Sequence, residues 1–167
     1  MLKIVLAAVF SILLLATCQY QVPITTDHHI PIDHLVLGSW KIVPAKDQDN
    51  DSAILIFKFS ETEYSVQYHE DNGELYFRAY AINVDGIDAV QLELIGSDDG
   101  PVRADNQDRY HVISYKLEND LLKISTLNTE LVDDELMDSE SLKKAFIEHK
   151  ENPGLFNDPG FFKRVSE

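Results

Sequence analysis

Tyr64-Ser65-Val66-Gln67-Tyr68-His69-Glu70-Asp71-Asn72-Gly73-Glu74-Leu75-Tyr76-Phe77-Arg78-Ala79-Tyr80-Ala81-Ile82-Asn83-Val84-Asp85-Gly86 reads as a strand, a turn, a longer strand and a second turn. Tyr64, Val66 and Tyr68 alternate with Ser65 and Gln67, the two-residue period of a strand with one buried face. Asn72-Gly73 and Asp85-Gly86 are hairpin turns, because both central positions of that turn need positive φ. Leu75, Phe77, Ala79 and Ala81 make a better core face than Tyr76, Arg78 and Tyr80, so Arg78 is expected to point outward. Asp88 to Ile95 continues the pattern, with Val90, Leu92 and Leu94 set against Gln91 and Glu93.

The same grammar extends in both directions. Upstream, Leu35 to Val43 and Ala53 to Phe59 are apolar runs closed by Pro44 and the polar stretch Ala45 to Ser52. Downstream, an acidic loop from Gly96 to Asp108 precedes Arg109 to Glu118 and Leu121 to Leu127, a third hairpin around Asn119-Asp120. The period then changes. Leu142, Ala145, Phe146 and His149 share one helical face; Asp138 or Ser139 can cap its start, Glu140 suits the first turn and Lys150 the last. Asn152-Pro153-Gly154 stops the helix, and Phe161, Phe162 and Val165 supply a last strand. The fold class expected is all-β. Eight antiparallel strands form an up-and-down barrel, with one α-helix before the last strand, because closure removes exposed edges. A barrel of that size fills itself with side chains or holds one small ligand.

The first residues are of another kind. Lys3 precedes an apolar run from Ile4 to Leu15, interrupted only by Ser11, and Ala16, Thr17 and Cys18 follow. This is the pattern of an export signal, and the run is shorter than the ~20 residues of a membrane span. Leu15-Ala16-Thr17-Cys18 resembles the lipobox of bacterial lipoproteins, in which the cysteine is acylated and becomes the new N-terminus. Thr17 stands where that family usually has Gly or Ala, and an ordinary cut after Cys18 is the alternative. Cys18 is the sole cysteine, so no internal disulfide can form, and acylation would remove a free thiol. Gln19, rather than Asp, follows it, which by the same resemblance points to the outer membrane; a secreted soluble protein is the alternative. The expected organisation is a signal peptide over 1–17, a lipidated tether over 18–34 and a barrel domain over 35–167.

Removal of residues 1–17 leaves 150 residues with 13 basic and 29 acidic side chains, a net charge of −16. That suits one domain able to bury ~70% of its unfolded surface without staples. It argues against nucleic acid, whose phosphates need a basic face, and against electrostatic docking on anionic lipid. A soluble, self-repelling surface is the plain reading.

Leu37-Gly38-Ser39-Trp40 opens the first expected strand, and Phe162-Lys163-Arg164-Val165 closes the last. The G-x-W element resembles that of lipocalins and of bacterial lipocalin-like (calycin) lipoproteins. In that family the tryptophan closes the bottom of an eight-stranded barrel and a basic residue of the last strand packs over its ring. The resemblance implies that Gly38, Trp40 and Lys163 or Arg164 form this structural signature. A cation–π stack adds ~0.5–2 kcal/mol beyond burial of the indole. The other short motifs of the animal lipocalins have no clear equivalent, which points to the bacterial relatives.

Candidate chemistry is sparse. His28, His29 and His34 lie in the expected tether, which does not hold ligands in geometry, so no metal site is expected. Asp47, Asp49 and Asp51 fail as a calcium loop, since Ser52 and Lys58 stand where Gly and Glu belong. Asp98, Asp99, Asp105 and Asp108 read as solvated loop. No G-x-S-x-G, H-E-x-x-H or second cysteine is present, and no enzyme or cofactor is expected. The ligand-binding candidates are Tyr64, Val66, Tyr68, Leu92, His111, Tyr115 and Ile124, which alternation places inward as an apolar wall with a few polar heads. The expectation is a lipid-anchored envelope protein binding a small apolar or amphipathic molecule. The alternative is a filled barrel acting through its surface on an envelope protein partner.

Overall fold

Asp85 and Gly86 have φ of 53° and 84°, and Asn119 and Asp120 have 48° and 61°. These left-handed pairs turn the chain back within two residues, and they set the register of the hairpins they join. A computed structural model describes residues 19–44, 50–70, 73–103 and 109–165. The export segment with Cys18, Asp47, Asp49, Asn72, Asp105 and Asp108 lie outside the described residues.

The strands are β1 (Gly38–Ile42), β2 (Ala53–Lys58), β3 (Tyr64–Glu70), β4 (Gly73–Val84), β5 (Ile87–Ser97), β6 (Gly100–Pro101), β7 (Tyr110–Glu118), β8 (Leu121–Leu127) and β9 (Phe156–Arg164). Each pairs antiparallel with its neighbours in the order β4-β3-β2-β1-β9-β8-β7-β5-β6, and β4 also pairs with β5. That last pairing closes an eight-stranded barrel and leaves β6 as a short flap on β5. The helix α1 (Ser139–Glu148) precedes the closing strand β9. Asp138 caps it, accepting from the Ser141 N–H at 2.8 Å, and Leu142 and Phe146 form its buried face.

Two apolar cores result. One fills the barrel, with Trp40, Tyr68, Phe77 and Phe162 among its fully buried members. The other lies against the outside of the wall, where Leu142 and Phe146 of α1, Val132 and Leu155 cover Tyr80, Ile82 and Val84 of β4 and Val112 of β7. Tyr20 and Ile24 belong to this second core.

Several elements differ from the sequence expectation. Residues 19–34 are packed on the barrel rather than loose. Tyr20 pairs with Tyr110 backbone to backbone, and its hydroxyl donates to the Val132 carbonyl at 2.8 Å. The segment shows no period because its apolar residues face different partners, Ile24 on the outer wall and Ile32 in the barrel. The chain from His34 to Val36 is a 3-10 turn, not strand, since Asp33 caps it by accepting from the Leu35 N–H at 2.9 Å. The last strand begins at Phe156, five residues earlier than its apolar signal. There Asp158, at φ 48°, and Pro159 interrupt the regular pattern, and the β8–β9 register shifts between Ile124 and Thr126. Lys150 lies beyond the last helical residue, where it pairs with Asp85 at 2.8 Å.

Candidate functional site

The turns 59–63, 85–86 and 119–120 gather at one end of the antiparallel meander, together with the start of β1 and the end of β9. Across this end runs the segment from Ile30 to Leu37, with Ile32 and Val36 inserted into the barrel core. Two residues hold it there. The Trp40 indole N–H donates to the Val36 carbonyl at 2.9 Å, while the Arg164 guanidinium donates to the carbonyls of Leu37, at 2.9 Å, and Leu35. The guanidinium carbon lies 4.1 Å from the centre of the Trp40 ring system, a cation–π stack over a fully buried indole. Gly38, at φ +122°, leaves room for this: a Cβ there would meet Arg164 Nη1 at 3.1 Å. Lys163 is exposed on the outer face and makes no part of the stack.

Behind this cap lies a cavity walled by Val36, Ile54, Val66, Leu92, Ile124 and Phe162 together with Tyr64, Tyr68 and Tyr115. All space between its lining atoms measures about 700 Å³, but only about 70 Å³ admits the centre of a water molecule. The smaller figure decides what fits. It is about half the ~150 Å³ of a cavity that binds benzene, room for a few waters or a chain of a few carbons.

Two hydroxyls of the cavity wall, those of Tyr64 and Tyr115, meet the cap segment. The Asp33 N–H donates to the Tyr64 hydroxyl at 2.6 Å, and the Tyr115 hydroxyl donates to Asp33 Oδ2 at 3.1 Å. Burial raises the pKa of both phenols, and the Asp33 carboxylate raises each further. Both therefore stay protonated at neutral pH and act as hydrogen-bonding groups rather than charges.

The structure brings six of the seven residues expected to bind a ligand onto this one wall: Tyr64, Val66, Tyr68, Leu92, Tyr115 and Ile124. The seventh, His111, also faces inward, paired with Leu92 across β5 and β7, and is buried. It packs edge-on against Phe77, with ring centres 5.5 Å apart, and does not line the cavity. Sequence reasoning missed Ile32, Asp33 and Val36. The signal available was the Asp33 side chain two residues before Leu35, an Asx-type cap that starts a turn.

Outside the barrel, two polar clusters fasten the incoming segment. Gln91, fully buried, accepts from the Ile24 N–H at 2.7 Å and donates to the Thr25 carbonyl at 3.0 Å and to the Tyr80 hydroxyl. Tyr80 in turn donates to the Thr25 carbonyl at 2.9 Å; burial pushes its pKa up to about 12. Glu63, 6% exposed, takes both prongs of Arg78, with Nε and Nη2 at 2.7 and 2.8 Å, and His28 Nε2 lies 3.2 Å away. The hydrogen bond from Arg78 holds the Glu63 carboxyl below the usual glutamate value. Arg78 thus points outward, and its guanidinium also lies over Phe59 at 4.9 Å. Among the described residues no three His, Cys, Asp or Glu side chains gather as a metal ion requires.

No protein-family model, curated protein or solved structure matches this chain.

Proposed function

We propose that this chain is a lipocalin-like binding protein, exported and lipid-anchored through Cys18, that takes a small apolar or amphipathic molecule into its barrel. The observation that carries the reading is the cavity of about 70 Å³, whose open surface is apolar, with the Tyr64 and Tyr115 hydroxyls bound to Asp33 at its capped end. An apolar group entering it gains ~25 cal/mol for each Å² removed from water. The G-x-W element with Arg164 over Trp40 supports the family likeness. The export signal and Leu15-Ala16-Thr17-Cys18 support the location in the cell envelope.

Calorimetric titration with a short aliphatic alcohol tests the cavity. We expect saturable one-to-one binding that is lost in Ala79→Leu. Ala79 is 1% exposed and lines the void, so three added carbons occupy it. Absence of saturable binding, or undiminished binding by the filled variant, would overturn the reading in favour of a surface-acting module. Phe57 and Phe59, 51% and 60% exposed at one end of β2, are where that alternative begins. For the anchor, Cys18→Ser should release the protein from the membrane fraction or block its maturation. An unmodified mature chain starting at Gln19 in wild-type cells would sink it.

A further inference from the structure

A second and larger hollow adjoins the first. It lies between the cap segment and the barrel rim, bounded by Ile30, Asp33, Leu117, Asp88 and the outer edges of Tyr64 and Tyr115. About 570 Å³ of it admits the centre of a water molecule, within the range of small-molecule sites. Tyr64, Val90 and Tyr115 line both hollows, and Asp33, hydrogen-bonded to both tyrosine hydroxyls, bridges the wall between them.

The charge of the outer hollow is one-sided. Two carboxylates, Asp33 and Asp88, belong to its wall. Lys116 is the cation on that wall, and its ammonium is bound to Glu118 at 2.7 Å. Asp33 uses Oδ1 on the Leu35 N–H and Oδ2 on the Tyr115 hydroxyl. Asp88 accepts from the Asn83 amide at 2.6 Å. Neither carboxylate is paired with a cation in any of these contacts. An anionic head entering here would meet like charge beside an apolar wall, where repulsion is poorly screened. A cationic head would meet two carboxylates.

We propose that the site selects amphipathic amines: a protonated amino head in the outer hollow takes Asp33 from its bridge to Tyr64 and Tyr115 and lies between it and Asp88, and a short apolar tail passes between the two freed rings into the barrel. This rests on the cavity reading above and specifies its ligand class. Fatty carboxylates, the usual choice for probing an apolar barrel, should be poor ligands.

The test uses the full mature chain and three probes of equal tail, octylammonium, octanol and octanoate, titrated at neutral pH. Octylammonium should bind about tenfold more tightly than octanoate, in the range expected for partly exposed charge pairs. High salt should weaken the amine and leave octanol unchanged. Asp33→Asn keeps the capping oxygen, and Asp88→Asn can still meet Asn83. Each should reduce the preference for the amine without lowering the melting midpoint. Asp134→Asn, in the loop at the far end of the barrel, should leave it intact, which separates a local site from the field of the whole acidic chain. Equal or tighter binding of octanoate overturns the proposal, as does a preference that survives both substitutions. If octanol saturates and the amine shows no advantage, the cavity reading stands and this one falls. If no probe binds, both fall.

Discussion

At the scale of single residues, one ring carries the capped end. Trp40 is fully buried, holds Val36 through its indole N–H and lies under Arg164. Trp40→Ala should cost ~3–5 kcal/mol, as for other large core truncations. A near-wild-type midpoint in a urea melt would show the contact to be incidental. Glu63 gives a second prediction. Its folded pKa lies below the 4.5 of a free glutamate, because the Arg78 pair favours the ionised form. The stability it contributes is therefore complete above the unfolded value and is lost as pH falls through the folded one. Wild type should exceed Glu63→Gln in stability at neutral pH, and the gap should close on acidification. A gap independent of pH would mean that the ion pair contributes nothing. Trp40 and Arg164 were legible in the sequence because their spacing and position matched a known pattern. Glu63 was not, since its partners Arg78 and His28 lie 15 and 35 residues away and meet it only after folding.

At the scale of elements, the strands could be read from alternation and turn chemistry, which act over two to ten residues. Six ligand candidates therefore reached one wall without any knowledge of the closed barrel. The segment over 19–34 could not be read that way. Its order comes from contacts made one residue at a time: Tyr20 on Val132, Ile24 on Gln91, Ile32 in the barrel, Asp33 on Tyr115. Tyr80 illustrates the same limit, for alternation places it on the outer face and the docked segment then buries it. Gln91→Leu tests how firmly the segment is held. It leaves the buried Ile24 N–H without its acceptor, at ~1–3 kcal/mol. The Ile24 amide should exchange with deuterium far faster in this variant while the β7–β8 amides keep their protection. Unchanged exchange at Ile24 would show that apolar contacts alone suffice.

At the scale of the whole molecule, β4 pairing with β5 removes the free edges that an open sheet would offer to another chain. The long acidic surplus adds mutual repulsion between molecules at neutral pH. The chain should thus be least soluble near its isoelectric point of about 4.6, where that repulsion vanishes. Turbidity followed across pH checks this, and a turbidity maximum well away from 4.6 would contradict it. Closure and cap together leave the inner hollow sized for a chain of a few carbons, a property of the assembled wall that no local pattern encodes.

The docking of Tyr20 also sets a chronology. Its ring is shut into the outer core two positions beyond Cys18, so the packed chain begins within two residues of the expected cut. A peptidase or acyltransferase needs several extended residues in its cleft. On the export reading, processing must therefore finish while the domain is still unfolded, and any change that speeds docking should leave uncut precursor behind.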